Sequence, residues 1–365
     1  MRFSINKTEL GNALAVVMKG VSTRSTLPIL SGILIEAKTD QITLQGTDLE
    51  LSVEVSAPAL VEEEGKTVVP GKLFSEIVRS LPDAAVHIET NENDVKVVCD
   101  TSSFSVWTLN PDDFPGFPEV ETNQQVTLPL NIFTSMVKRV SRVVSRDESR
   151  MILTGVLIEL EDEQLKMVAT DSYRLALAKT KLTETRADEF SAVIAGTFLN
   201  DICGVPMEDA DITLGLSDNQ IVITCGKTVF INRRIEGNYP NYRQLLPTDH
   251  NTRVTLELAP FTAAVKRAAI LSSSSAPMRF DINNTTQTLQ IYVKATDVGS
   301  VQETIGCEAV GDDVEIAFNS AYVVDGLSAI KGEKVHFDIL DGMKPGIFRT
   351  VEGDDFLYLI MPVRI

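Results

Sequence analysis

Three aspartates carry the first chemical question. Asp48, Asp171 and Asp297 each follow a threonine at the end of an alternating apolar run, in Gly46-Thr47-Asp48, Ala169-Thr170-Asp171 and Ala295-Thr296-Asp297. A catalytic carboxylate needs one asymmetric setting with a tuned pKa. One that recurs in every copy of a pattern is better suited to accepting hydrogen bonds from a turn. Other reactive types are sparse. Cys99, Cys203, Cys225 and Cys307 stand singly with no CxxC pair, against both a zinc site and a disulfide framework, and read as small buried apolar residues. His87, His250 and His336 lie far apart, and there is no Gly-rich phosphate loop, GxSxG elbow or HExxH. The expectation is a chain with no catalytic residue, no metal and no cofactor.

The remaining candidates are cations. Six stretches with helical spacing and their flanks (3 to 24, 70 to 81, 126 to 146, 195 to 205, 259 to 275 and 319 to 332) hold twelve Lys and Arg against four Asp and Glu, inside a chain of net charge −18. Lys138, Arg139, Arg142 and Arg146 stand in a stretch with no acid, and the spacing 139, 142, 146 places three guanidiniums on one helical face. A charge run on one helix usually means no more than a solvated face. Recurrence on helices against an acidic remainder points instead to phosphate contacts that read no sequence.

Those helices belong to a unit that occurs three times, about 125 residues apart. The segment Ile29-Leu30-Ser31-Gly32-Ile33-Leu34-Ile35-Glu36 matches Ile152-Leu153-Thr154-Gly155-Val156-Leu157-Ile158-Glu159, and Phe114-Pro115 matches Tyr239-Pro240. The period is that of a domain, far above the roughly 20 to 50 residues of a solenoid unit. Helices are expected at 6 to 18, 71 to 81, 129 to 144, 196 to 204, 259 to 271 and 319 to 331, with period-two strands between them, such as 41 to 46, 51 to 56, 86 to 90, 94 to 99 and 103 to 109. The fold class is α+β: three tandem copies of one domain, each with two helices plus antiparallel sheets, over 1–123, 124–250 and 251–365. Two helices on one face and sheet on the other suggest a curved array with helices inside, and a head-to-tail homodimer of six domains closes it into a ring without exposed sheet edges.

Composition agrees with a globular chain: 44% apolar, 23% charged, and no run approaching the ~18 to 20 apolar residues of a membrane span. Met1-Arg2-Phe3-Ser4 begins no apolar signal core, so the cytoplasm is expected and no membrane partner. A sequence-specific DNA reader would offer Arg, Asn or Gln to base edges from a recognition helix; the most basic helix here offers chiefly Lys and Arg. A passive scaffold would bind a peptide but no DNA.

Along its whole length the chain resembles the beta subunit of bacterial DNA polymerase III, the replicative sliding clamp. The resemblance is carried by Thr26-Leu27-Pro28-Ile29-Leu30, Gly46-Thr47-Asp48-Leu49-Glu50, Val168-Ala169-Thr170-Asp171 with Arg174-Leu175-Ala176, Tyr239-Pro240-Asn241-Tyr242-Arg243, Ala268-Ala269-Ile270-Leu271-Ser272, Phe318-Asn319 with Tyr322-Val323, and Met361-Pro362-Val363-Arg364-Ile365. It implies a non-catalytic ring homodimer that encircles double-stranded DNA, slides on it and tethers the catalytic subunit of the replicative polymerase. The clamp loader and other replication and repair proteins would share a hydrophobic peptide-binding cleft between the second and third domains.

Carried onto matching positions, that cleft uses Leu153, Thr170, Arg174, Leu175, Pro240, Arg243 and Leu245 with Asn319, Tyr322, Met343, Ile360, Met361 and Pro362. Tyr173 stands where the family usually has His, which would change the pocket wall. Arg24, Lys72, Arg79 and Arg150 match basic positions of the family; Arg139, Arg142, Arg146, Lys266 and Arg267 are candidate DNA contacts from helix faces alone. Gly196-Thr197 replaces a basic pair at the start of the fourth helix, which should therefore contribute little to DNA binding. The ring joint would set Phe104 and Val106 of one copy against Ile270 and Leu271 of the other.

Overall fold

The computed structural model describes residues 1–22, 26–182, 189–206, 211–247, 249–272, 276–353 and 355–364. The chain opens with β1 (Arg2–Asn6), α1 (Lys7–Val17), β2 (Gly32–Lys38), β3 (Gln41–Thr47), β4 (Leu51–Pro58), β5 (Leu60–Glu63), β6 (Gly65–Pro70), α2 (Gly71–Ser80), β7 (Ala85–Thr90), β8 (Asp94–Cys99) and β9 (Ser102–Trp107). It continues with β10 (Gln124–Pro129), α3 (Leu130–Val140), β11 (Gly155–Glu161), β12 (Gln164–Thr170), β13 (Arg174–Lys181), β14 (Phe190–Ala195), α4 (Gly196–Cys203), β15 (Asp211–Leu216), β16 (Gln220–Cys225) and β17 (Thr228–Arg233). The last third holds β18 (Thr252–Glu257), α5 (Leu258–Ala269), β19 (Met278–Asn283), β20 (Thr288–Ala295), β21 (Gly299–Gly306), β22 (Glu308–Gly311), β23 (Val314–Phe318), α6 (Ser320–Ala329), β24 (Lys334–Ile339), β25 (Gly346–Thr350) and β26 (Phe356–Ile360).

The helices follow their apolar stripes. In α2, Phe74, Ile77 and Val78 are buried while Lys72 and Arg79 are exposed. Asn6 caps α1 by accepting from the Thr8 N–H at 2.8 Å, and Asn319 caps α6 by accepting from Ala321 at 2.9 Å. One boundary differs from expectation. The α-helical part of α3 ends at Val140 and tightens into a 3₁₀ turn over Ser141–Val143, so residues 139, 142 and 146 do not share one α-helical face.

The Thr-Asp repeat is a turn device. Asp48 Oδ1 accepts from the backbone N–H of Glu50 and Leu51, and Asp171 Oδ1 from those of Tyr173 and Arg174. Thr47 and Thr170 hydroxyls accept from Leu49 and Ser172, residues held at φ 77° and 79°. Two side chains thus hold a left-handed backbone that costs a non-glycine residue free energy. The third copy closes more tightly, with Ala295 already opposite Gly299 across the β20–β21 hairpin.

Among the described residues, four antiparallel sheets carry these turns: β5-β1-β7-β8-β9, β10-β15-β16-β17-β4-β3-β2-β6, β14-β11-β12-β13-β26-β25-β24-β18-β22 and β21-β20-β19-β23. The two long sheets cross from one copy into the next. In the first, β17 pairs with β4, Phe230 opposite Val53; in the second, β26 pairs with β13, Tyr358 opposite Ala176. The chain accordingly divides into two compact units whose boundary falls inside the second copy, because each half of that copy is hydrogen-bonded into a neighbour's sheet. Among the described residues, the first unit holds those of 1–133 and 201–234; the second holds those of 134–182, 189–200 and 235–364. Within the first, Lys19 of α1 pairs with Asp201 of α4 at 2.7 Å. Within the second, Phe261, Phe280, Phe318, Phe337 and Phe348 form a buried cluster of edge-on and tilted rings.

Candidate functional site

The second unit holds an apolar pocket of about 420 Å³. Its floor follows from strand pairing: Leu175 on β13 lies opposite Leu359 on β26, and both join a buried cluster with Leu157, Val168, Leu177, Val193, Tyr242, Ile347 and Leu357. One wall is the turn Tyr242–Leu245 and its continuation, which contribute Gln244, Leu245, Leu246 and Pro247; another is Leu340, Lys344 and Pro345 between β24 and β25. Thr170, Ser172, Arg174 and Met361 complete the lining. Tyr242 pins the first wall by donating its hydroxyl to Glu159 at 2.8 Å, and burial with that carboxylate pushes its phenol up. The Met361 N–H donates to Tyr173 O at 2.8 Å, which fixes the C-terminal strand against the Thr-Asp turn.

Five of the thirteen cleft residues expected from sequence line this pocket: Thr170, Arg174, Leu175, Leu245 and Met361. Leu153 and Ile360 are buried core residues, at 5% and 0% exposure. Asn319 spends its carbonyl on the cap of α6, Pro240 and Met343 are exposed outside the lining, and Pro362 is half-buried. Arg243 is held outside by Glu159 and Glu161, and bonding to Glu161 above all raises its pKa. Sequence reasoning missed Ser172, Gln244, Leu246, Pro247, Leu340, Lys344, Pro345 and Leu359. Leu246-Pro247 adjoins Leu245 and was within reach; the turn 340–345 carries no periodic signal.

Arg174 is a junction rather than a free rim cation. Its Nε donates to Asp171 at 3.0 Å, Nη1 to Asp325 at 2.6 Å and to the Tyr358 hydroxyl at 3.2 Å, and Nη2 to Arg142 O at 3.1 Å, with the guanidinium 4.3 Å from the Tyr322 ring centroid. Burial works against its charge, yet Tyr358, Asp325 and Asp171 raise its pKa further. On its other side lies a polar cavity of about 560 Å³ that gathers Arg142, Arg146, Arg150, Tyr173 and Tyr322. Tyr173, expected to alter the peptide pocket, lines this cavity instead. Alternate residues of one turn therefore wall two different sites.

The candidate DNA contacts separate on burial. Arg139 is 6% exposed: Nε donates to Ala329 O at 3.0 Å, Nη1 to Asp355 at 2.6 Å, and the guanidinium lies 4.2 Å from the Phe356 ring centroid. It ties α3 to α6 and β26, and its assignment as a phosphate contact is corrected. Arg267 makes two 2.7 Å bonds to Glu303, which consume much of its charge. Arg150 bonds to Asp147 and Ser172, and Arg142 to Ser328. Arg146, Lys266, Lys72 and Arg79 are exposed and make no ion pair among the described residues. Arg24 lies outside the described residues. Of the joint residues, Ile270 is 80% and Phe104 37% exposed and Leu271 is half-buried, but Val106 is buried at 4% and packs its own domain. Trp107 beside it, missed from sequence, is 77% exposed.

Comparison with known proteins matches the chain in three consecutive pieces to models of the DNA polymerase III beta subunit: its N-terminal domain at residues 1–118, central domain at 127–241 and C-terminal domain at 243–364. The chain is 31% identical to a beta sliding clamp of Staphylococcus epidermidis, over 100% of this chain and 99% of that protein. Its fold is similar to the crystal structure of the beta subunit from DNA polymerase of Streptococcus pyogenes, with TM-score 0.94, 30% identity and all of both chains covered. It is equally similar to the DNA polymerase sliding clamp from Bacillus subtilis, with TM-score 0.94 and 28% identity over 100% of this chain and 99% of that one.

Proposed function

The chain belongs to the DNA polymerase III beta subunit family of sliding clamps, and from that premise we propose that two copies close head to tail into a ring around duplex DNA. The ring has no catalytic role and works in the cytoplasm as a mobile tether for the polymerase catalytic subunit, the clamp loader and other replication and repair proteins. One observation carries the reading. At each joint inside the chain, the third strand of one half-copy (β4, β13) pairs with the last strand of the next copy (β17, β26). The equivalents left over, β21 and β9, are both sheet edges. Phe104 on β9 stands opposite Val97 on β8 as Phe230 stands opposite Ile223 and Tyr358 opposite Phe348, so the same joint is available a third time, between two chains.

Exposed Lys72, Arg79, Arg142, Arg146 and Lys266 are the DNA contacts in this reading, with Arg150 and Arg267 weakened by their carboxylates. They meet phosphates and leave the ring free to slide. Partners dock a short apolar segment into the pocket between Leu175, Leu359 and Leu245, whose concave, mostly apolar lining suits such an anchor.

The test is topological. The protein is loaded by a matching clamp loader onto nicked circular DNA, the salt is raised, and the circle is then cut. Retention on the circle with loss on cutting is expected. Loss by salt alone, indifferent to a free end, would sink the ring.

A further inference from the structure

We propose that the joint between two chains closes without the cation found at each joint inside the chain, so that salt does not loosen it. The inference rests on the head-to-tail ring and adds what holds it shut. Equivalent positions in the three copies follow from the buried stripes of the helices. Leu10, Ala13, Leu14 and Val17 on α1 match Phe133, Met136, Val137 and Val140 on α3 and Phe261, Ala264, Val265 and Ala268 on α5. Lys19, Arg142 and Ile270, each two residues beyond its stripe, therefore stand at one position. On the second helices Phe74, Leu199 and Val323 are buried counterparts, which aligns Glu76, Asp201 and Asp325, each two residues further on.

At the joint of β4 with β17, Lys19 pairs with Asp201 at 2.7 Å. At the joint of β13 with β26, Arg142 donates to Ser328 on α6 at 2.8 Å, and Arg174 pairs with Asp325 at 2.6 Å. The third joint has the acid, Glu76, and no cation to meet it. Ile270, 80% exposed, stands where the other copies have a basic residue, and the third Thr-Asp turn holds Val298 and no arginine. Lys266 lies one turn before Ile270, but its counterpart Lys138 makes no ion pair among the described residues. The strand edges are as neutral. Ser102–Trp107 on β9 carries no charge, and Glu303, the one charged residue of β21, is held by Arg267 of its own chain in two 2.7 Å bonds. Leu73, 48% exposed and one turn from Glu76 on α2, offers Ile270 an apolar partner instead. Such a contact is not screened by ions, whereas the repulsion between two chains of net charge −18 is.

The test is sedimentation of the DNA-free protein at about 0.05 M and about 1 M NaCl. The wild-type dimer should hold its dissociation constant within about two-fold or tighten as salt rises; weakening beyond that would overturn the proposal. A pair of variants probes the position itself. Ile270→Lys supplies the missing cation, and Ile270→Gln removes the same apolar contact without a charge; at 80% exposure neither should disturb the fold. At low salt Ile270→Lys should dimerise about two- to five-fold more tightly than Ile270→Gln. The ratio should fall to about one in high salt and again when Glu76→Gln is added. Equal affinities of the two variants at low salt would separate Glu76 from Ile270 and refute the assignment while the ring stands. A wild-type protein that stays monomeric at every concentration would fail the ring itself.

Discussion

Replacing Arg139 by Ala separates structure from DNA binding. The charged hydrogen bond to Ala329 O, made by a side chain 6% exposed, contributes about 1.5–3 kcal/mol. The pair with Asp355 adds at most about 1 kcal/mol, because that carboxylate is 49% exposed and screened. The stacked contact on Phe356, between two buried groups, adds about 2 kcal/mol. Against these stands a gain, since Nη2 of Arg139 is buried without a partner and its removal relieves that cost. A net loss of about 3 kcal/mol follows. For a unit of some 200 residues each kcal/mol shifts the melting point by about 2–4 °C, so Arg139→Ala should lower the second unit's transition by roughly 6–12 °C. The same change should leave the salt dependence of DNA affinity where it is, since a buried guanidinium neutralises no phosphate. Acid provides a second readout. Burial alone would raise the Asp355 pKa, but bonding and charge from Arg139 win and hold it below the ordinary 3.8. A depressed carboxylate stabilises the fold above its unfolded pKa and loses that contribution as pH falls through the folded one. The gap between wild type and Arg139→Ala should therefore narrow below pH 3.8. Calorimetry across pH, with DNA titrations across salt, measures both. An unchanged melting point with a salt slope reduced by about one would refute the reasoning.

Gly326→Ala is expected to destabilise by about 1–3 kcal/mol although alanine favours a helix interior. Its Cβ would come within 2.5 Å of the buried Tyr358 ring, whose hydroxyl is held by Tyr322 O and Arg174, leaving little room to retreat. Denaturant titration decides, and a stabilised variant would show that the ring can move. Ile270→Asp should shift sedimentation from dimer to monomer without lowering the chain's melting point, because Ile270 is 80% exposed in the single chain; a dimer of undiminished affinity would take Ile270 out of the joint.

How much could be read from sequence depended on whether the signal was local. The stripe Phe74, Ile77 and Val78 specifies α2 wherever it packs, and all six helices lie within a few residues of their expected bounds. The Thr-Asp turns were equally legible, since both hydrogen-bonding partners sit within three residues. Arg139 was misread because its fate is decided by Asp355, 216 positions away, which no helical wheel contains. The same limit hid the pocket's second wall. Leu340, Lys344 and Pro345 lie in a polar turn with no periodicity, and only the pairing of β24 with β25 and of β25 with β26 brings them beside Leu359. Arg174 and Arg243 are assigned to the cleft by resemblance alone, but β11 and α6 supply acids that occupy them.

The joint between β4 and β17 has a consequence for synthesis on the ribosome. Strand β4 is translated by residue 58, but its hydrogen-bonding partner begins only at Thr228. At about 5–20 residues per second, that backbone edge waits on the order of 10–35 s before its partner emerges. During that interval the nascent first domain offers a naked strand to any extended segment, including β4 of a neighbouring chain on the same messenger. The nascent chain would need a chaperone or a slow handover over that stretch.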